Sequence, residues 1–211
     1  MTSSKVTHPA RYRVYQFFAA LKAYLPAWAG GLRGELSTSD RDLVNSILTM
    51  PSQRRLFDRM SPNDQRHAIA VARTVQQAGH SHPALLQAAL LHDVAKSLGQ
   101  PLIHRVIIVL LEAFRPQLLV RLSNPTSLSP SPARNTNPPS IIPDPSSFPW
   151  WQRPFIIHAH HPAIGADWAK AAYCDALTVE LILNHQAALT SIPEDNGRRL
   201  LEILQWADNL N

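Results

Sequence analysis

The segment PALLQAALLHDVAKSLG, residues 83–99, is the part of the sequence from which the rest of the chain can be interpreted. Its apolar residues recur at helical spacing and form a stripe that runs towards Asp93 and Val94. His92 and Asp93 stand together at the end of this stripe, where unpaired polar groups are costly. Imidazole nitrogen and carboxylate oxygen are ordinary ligands of zinc, iron and manganese. The pair therefore indicates a metal site, with a solvated pair at a helix end as the alternative.

The composition is typical of a globular protein that builds one sizeable core. The chain has 211 residues, of which 45% are hydrophobic and 17% charged. The formal charge of +5 is compatible with phosphate-bearing ligands and too small to indicate nucleic acid. The single cysteine, Cys174, excludes an intrachain disulfide and favours a reducing compartment.

No secretory signal is visible in residues 1–10, and no run of 18 apolar residues occurs, so we expect a cytoplasmic protein without a transmembrane segment. The most apolar stretch, IIVLLEAF at residues 107–114, contains Glu112 and predicts a core helix. Weak contact with a membrane surface is the alternative for this stretch.

Helical periodicity throughout predicts an all-α protein. We expect an N-terminal helical extension over residues 1–59, including an amphipathic helix at 11–25, and one domain over residues 60–211. The predicted starts and ends of helices within these regions are an N-cap at Ser39, a start at Ser61-Pro62, stops at Gly79 and Gly99, and starts at Pro162 and Pro193. For the apolar segment after Gly99, one long helix and two helices broken near Pro116 are both open. Residues 123–149, rich in Pro, Ser and Asn, predict a flexible insertion.

Metal-binding side chains recur on the apolar faces of other predicted helices. His67 shares a face with Val71 and Val75, and His185 shares one with Leu181 and Ile182. Asp208 follows Leu204 by one turn, and His161 stands directly before Pro162. Single buried histidines are usually hydrogen-bonded parts of a core. Four histidines and two aspartates in such positions favour a shared metal centre instead.

The order His67, His92-Asp93 and Asp208, with LLHDVAK around the central pair, resembles the HD-domain superfamily of metal-dependent phosphohydrolases. The resemblance covers residues 60–211 apart from the insertion, and it implies a bundle of five or more helices. HPAIGADWAK at His161 and ILNHQ at His185 are similar to segments that supply extra histidines in HD proteins with two metals. Among these are HDIG proteins, cyclic-dinucleotide phosphodiesterases and bacterial HD-type diadenosine-tetraphosphate hydrolases.

The resemblance implies two divalent cations that share one carboxylate. One cation would be held by His67, His92, Asp93 and Asp208, and the second by Asp93, His161 and His185. His158 and His160 remain alternatives to His161. Iron or manganese suits such a six-ligand, histidine-rich site better than tetrahedral zinc.

The implied reaction is hydrolysis of a phosphate ester or phosphoanhydride, with a nucleotide as the expected small-molecule substrate and a metal-bound hydroxide as the nucleophile. Asp93 and Lys96 are the expected catalytic residues, with His158 and His160 as further candidates to protonate the leaving group. VAK stands where IGK is commoner in the family, and HQ stands where HH or HT is usual. The GYP signature of the subclass that degrades cyclic di-GMP is absent, so that substrate is not assigned.

Two other functions are compatible with the same ligands: a di-iron oxygenase of the HD fold, and a nucleotide-sensing HD module without catalysis. The sequence indicates no particular substrate or oligomeric state.

Overall fold

The computed structural model describes residues 36–99, 102–124 and 144–211, and every regular element within these ranges is helical. The predicted all-α class is therefore confirmed. The described α-helices are α1 Thr38–Ile47, α2 Pro51–Asp58, α3 Pro62–Gln77, α4 Pro83–Leu91, α5 Leu102–Phe114, α6 Pro116–Ser123, α7 Arg153–Ala171, α8 Ala176–Asn184 and α9 Asn196–Leu210. Short 3₁₀ helices cover Val94–Leu98, Pro145–Ser147 and Leu189–Ser191. None of these helices is both long and apolar enough to cross a membrane.

The described residues form two compact units. The larger unit contains residues 36–99 and 159–211, and the smaller unit contains residues 102–124 and 144–158. The predicted helix at 11–25 and residues 125–143 of the predicted insertion lie outside the described residues. The predicted domain boundary at residue 60 stays a prediction; α1 and α2, which precede it, pack against α4 in the larger unit.

Helix α4 is the centre of the larger unit. Its residues from Ala84 to Leu91 are buried except for the half-buried Gln87. A helix that is apolar on all sides must be surrounded by other helices, and α4 packs against α1, α2, α3, α8 and α9. Each fully buried leucine of α4 stabilises the fold by roughly 1.5–3 kcal/mol. This burial fixes the end of α4, where the His92-Asp93 pair begins.

The smaller unit has a core of its own, made by α5, α6 and the first turns of α7. Ile108, Leu119 and Phe155 are buried together, with Leu111 and Leu122 packed against them. The apolar segment after Gly99 is broken at Arg115, so of the two alternatives the pair of helices is correct and the single helix is wrong. Pro116 explains the break, because a proline disfavours the helical conformation in the residue before it.

Of the predicted helix starts, the one at Ser61-Pro62 is confirmed, whereas those at Ser39 and Pro193 are wrong. The hydroxyl of Ser61 accepts the backbone N–H of Asp64 at 3.2 Å, as expected for the N-cap of α3. Helix α1 is capped by Ser37 and not by Ser39, because Asp40 also accepts the backbone N–H of Ser37 and completes a capping box. Helix α9 begins after Asp195, whose carboxylate accepts the backbone N–H of Arg198, and not at Pro193.

The predicted helix start at Pro162 is also wrong. Helix α7 already begins at Arg153 and continues through Pro162 to Ala171. A proline inside a helix costs about 3 kcal/mol, because it removes one hydrogen bond and crowds the preceding turn. The buried side chains of Phe155, Ile156 and Ile157 stabilise the turns before Pro162 and offset this cost.

Candidate metal centre

The His92-Asp93 pair lies at the point where the chain changes from one type of helix to another. Helix α4 ends at Leu91, His92 is its C-cap, and Asp93 has φ −102° and ψ 8° before the 3₁₀ turn over Val94–Leu98. The prediction that one helix runs through the pair to Gly99 is therefore wrong. Side chains of adjacent residues in an α-helix point about 100° apart. The change of conformation at Asp93 allows both side chains to enter the same cluster, with His92 Nε2 and Asp93 Oδ2 3.6 Å apart.

Two histidines of the cluster are held in the same way by the ends of their helices. Nδ1 of His92 lies 3.0 Å from the carbonyl oxygen of Ala89, and Nδ1 of His185 lies 2.7 Å from that of Ile182. A carbonyl oxygen can only accept, so Nδ1 carries the hydrogen in both rings. In the neutral ring Nε2 then has a free lone pair, and this arrangement is typical of metal-binding histidines.

The first group of donor atoms is formed by His67, His92, Asp93 and Asp208. Oδ1 of Asp208 lies 2.9 Å from Nε2 of His67 and 3.4 Å from Nε2 of His92. Helices α3, α4 and α9, which pack on one another, supply three of these side chains, and Asp93 follows α4. His67 and Asp208 are partly open to solvent, with 28% and 33% of their side chains exposed.

The second group is formed by Asp93, His161 and His185 and is buried. Oδ1 of Asp93 lies 3.3 Å from Nε2 of His161 and 3.7 Å from Nε2 of His185, and the two Nε2 atoms are 3.3 Å apart. The side chains of His161 and His185 are 0% and 2% exposed. Asp93 therefore faces the first group with Oδ2 and the second group with Oδ1.

The residues fit a bound cation. Nε2 of His92 and Oδ1 of Asp93 are fully buried and make no hydrogen bond of ordinary geometry, which is costly for both atoms. Ligand atoms that share one cation at about 2.1 Å lie about 3–3.5 Å from one another. Most separations in the two groups fall within or near this range. Asp93, with His67 and His92 on one side and His161 and His185 on the other, could thus hold a metal ion.

The pKa values show which charges the cluster favours. Burial lowers the pKa of His92, but the carboxylates of Asp93 and Asp208 outweigh it and raise that pKa to about 9. For Asp93, burial acts in the opposite direction and raises the pKa. The positive charges of Lys96 and His92 outweigh burial and hold the pKa of Asp93 well below its usual range. For His161, burial dominates and lowers the pKa to about 4. Protonated His92 and Lys96 therefore supply positive charge beside the ionised carboxylates of Asp93 and Asp208, and a divalent cation bound to Nε2 of His92 would take the place of the proton there.

The remaining predicted residues lie at the edge of the cluster or outside it. Nζ of Lys96 lies 2.5 Å from Oδ2 of Asp93, and its side chain is 22% exposed. His158 belongs to the smaller unit, where its Nε2 lies 3.1 Å from Oε1 of Glu112. His160 is half-buried in the larger unit. Of the three neighbouring histidines, the structure brings His161 to Asp93.

Two further features that position the cluster were not predicted from the sequence. One is the pair of carbonyl groups, Ala89 and Ile182, that hold His92 and His185. A signal exists in hindsight, because each histidine directly follows an apolar helix and reaches back three residues. The other is Gly165, where α7 passes close to the His92 carbonyl: a Cβ atom there would lie 3.8 Å from that oxygen.

Comparison of the chain with protein-family models, with curated proteins and with solved structures finds no match.

Proposed function

We propose that this protein is a metal-dependent phosphohydrolase that uses two divalent cations. One observation carries the proposal: the two carboxylate oxygens of Asp93 face two separate groups of histidines, at 3.3–3.7 Å from their nearest nitrogens. A carboxylate in this position can bridge two cations. Sites with two cations a few ångströms apart are typical of enzymes that hydrolyse phosphate esters.

The protein's own residues would hold and orient the reacting groups. Divalent cations in the site would lower the pKa of a water molecule and neutralise charge on a phosphoryl group. Asp93 would join the two groups, and Lys96, in contact with Oδ2, would fix the orientation of its carboxylate. Because the Lys96 side chain is partly exposed, its ammonium group could also face the phosphate of a substrate.

The unequal burial of the two groups suggests from which side a substrate would approach. The side chains of His67 and Asp208 are partly exposed to solvent, whereas those of His161 and His185 are buried. A phosphate ester would therefore reach the cluster beside His67 and Asp208. The proposal includes a nucleotide or a similar phosphate ester as the substrate, iron or manganese as the cations, and a cytoplasmic location.

The proposal is tested with the purified full chain, reloaded with Mn²⁺ or Fe²⁺ and assayed against an aryl phosphodiester, an aryl phosphomonoester and a panel of nucleotides. We expect cation-dependent hydrolysis of at least one substrate. We expect Asp93→Asn to reduce the rate by about 1,000-fold or more, because one carboxylate serves both groups. Asp167→Asn is the matched control, because Asp167 is an exposed aspartate of α7.

Binding of cations and nucleotide without any product after long incubation would contradict catalysis and favour a sensing module. Oxygen consumption with an iron-loaded protein, in place of phosphate release, would favour the oxygenase. Equal rates for Asp93→Asn and the unsubstituted chain would show that the hydrolysis arises elsewhere.

A further inference from the structure

The two groups of the candidate metal centre differ in their access to solvent. In the first group, the side chains of His67 and Asp208 are 28% and 33% exposed. In the second group, those of His161 and His185 are 0% and 2% exposed. Oδ1 of Asp93, the oxygen that faces the second group, is fully buried. A cation therefore enters or leaves the second group only past the first group, or through a local opening of the surrounding helices.

Apolar side chains close the second group where helix α7 passes α8. A Cβ atom at Gly165, one turn after His161, would lie 3.4 Å from the side chain of Ile182 and 3.5 Å from that of Val94. Ile182 and Val94 are both 0% exposed, and the carbonyl group of Ile182 is the one that holds His185. Protein interiors contain few voids larger than a water molecule. Release of a cation past these side chains therefore requires α7 to move.

The two groups also differ in the partners that their atoms already have. Nε2 of His67 lies 2.9 Å from Oδ1 of Asp208, and Nζ of Lys96 lies 2.5 Å from Oδ2 of Asp93. A cation in the first group has to compete with this hydrogen bond and this ion pair. Oδ1 of Asp93 makes no hydrogen bond of ordinary geometry, so a cation in the second group gives a buried oxygen the partner that it lacks. Both differences favour occupancy of the second group.

We propose that the second group fills first and empties last, so that the occupancy of the first group alone follows the concentration of free cation. The chain with only its second group filled is then the resting form, and binding of a cation beside His67 and Asp208 switches hydrolysis on. This regulation rests on the proposed function, in which hydrolysis needs both cations.

The test follows the release of Mn²⁺ from the purified full chain after loading with two equivalents. Excess EDTA is added, and the metal that stays on the chain is measured by rapid desalting and elemental analysis. We expect two phases of about one equivalent each, the second about 100-fold slower or more, because it requires a local opening. Urea at concentrations that leave the chain folded should accelerate only the slow phase. Hydrolysis should be lost with the fast phase and return when Mn²⁺ is added again.

Variants assign each phase to one group of side chains. His67→Ala and Asp208→Asn should each abolish the fast phase and keep the slow one, because they alter only the first group. His161→Ala should abolish the slow phase and keep the fast one. His82→Ala is the matched control, because His82 is an exposed histidine outside both groups, and it should keep both phases. Circular dichroism of every variant checks that the helices are retained.

The proposal is overturned if the folded chain releases both equivalents in a single phase, or if His161→Ala abolishes the fast phase and His67→Ala the slow one. A chain that binds two equivalents, hydrolyses a phosphate ester and releases both cations together would overturn only the order of filling. A chain that binds no Mn²⁺ would overturn both this inference and the proposed function.

Discussion

At the scale of single residues, Asp93 differs from the other members of the cluster because it belongs to both groups of donor atoms. Replacing it should therefore remove both cations, whereas replacing a histidine of one group should remove one. After loading with Mn²⁺ and removal of free metal, we expect about two equivalents in the unsubstituted chain, about one in His67→Ala or His161→Ala, and close to none in Asp93→Asn. Elemental analysis of the purified proteins measures this.

The matched control for these variants is His82→Ala, because His82 is an exposed histidine at the start of α4. It should retain the full metal content. A content of one equivalent in the unsubstituted chain that only Asp93→Asn reduces would contradict the assignment of two separate groups.

Cys174 gives a prediction about pH that is independent of the metal centre. Burial, and then the charge of Asp175, raise the pKa of its thiol from 9.0 to about 11. At pH 8.5 alkylation of the folded chain should be on the order of 100-fold slower than that of the unfolded chain, because the thiolate is the nucleophile. The rate of reaction with iodoacetamide, with and without guanidinium, measures the difference. Equal rates would contradict the raised pKa.

The same shift affects stability in a defined window of pH. Below pH 9 the thiol is protonated in both the folded and the unfolded chain, so Cys174 makes no difference. Between pH 9 and pH 11 the unfolded chain loses this proton and the folded chain keeps it. The contribution of Cys174 to the free energy of unfolding therefore falls as pH rises through this window. Cys174→Ser should reduce the decline in the free energy of unfolding between pH 9 and pH 11.

At the scale of helices, Gly165 is the position where α7 passes α8 and the turn after His92. A Cβ atom there would lie 3.4 Å from Cγ2 of Ile182 and 3.5 Å from Cγ1 of Val94, which are ordinary contact distances. Gly165→Ala should raise the free energy of unfolding by about 0.5–1 kcal/mol, because glycine is unfavourable inside a helix. Gly165→Leu should lower it by about 1–3 kcal/mol, because the longer side chain has no space.

Urea unfolding of both variants, followed by circular dichroism, measures these changes. The metal content of Gly165→Leu should also fall, because a displaced α7 would move His161 away from Asp93. If leucine is tolerated as well as alanine, α7 does not pass as close to α8 as the structure shows.

The elements also show what local sequence could predict and what it could not. Ser61 was predictable as a cap because a proline follows it directly and an acidic residue, Asp64, stands in the first turn of the helix. The choice of Ser37 over Ser39 depends on Asp40, which stands three residues after Ser37 and whose carboxylate accepts the backbone N–H of Ser37, so this cap also has a local signal in the sequence. The continuation of α7 through Pro162 depends on the burial of residues that the local pattern does not reveal.

The candidate site shows the same division. Its residue types could be predicted, because polar side chains on apolar faces are costly without partners. The contacts of Asp93 Oδ1 and Oδ2 could not, since they depend on how α4 ends and on how α7 and α8 pack against it.

At the scale of the whole molecule, the cluster should link metal binding to folding. Its six side chains come from helices α3, α4, α7, α8 and α9 and from the turn after α4, and an unfolded chain cannot bring them together. A cation present at 100 times its dissociation constant stabilises the folded state by about 2.7 kcal/mol. For a chain of this size the midpoint of thermal unfolding should rise by about 5–10 °C. Scanning calorimetry of the full chain with Mn²⁺, and again after a chelator is added, measures the shift.

Asp93→Asn should show no shift, while Asp167→Asn should behave like the unsubstituted chain. A midpoint that Mn²⁺ raises equally in Asp93→Asn would mean that the cation binds elsewhere, and the two groups around Asp93 would then need another explanation for their buried, unpaired atoms.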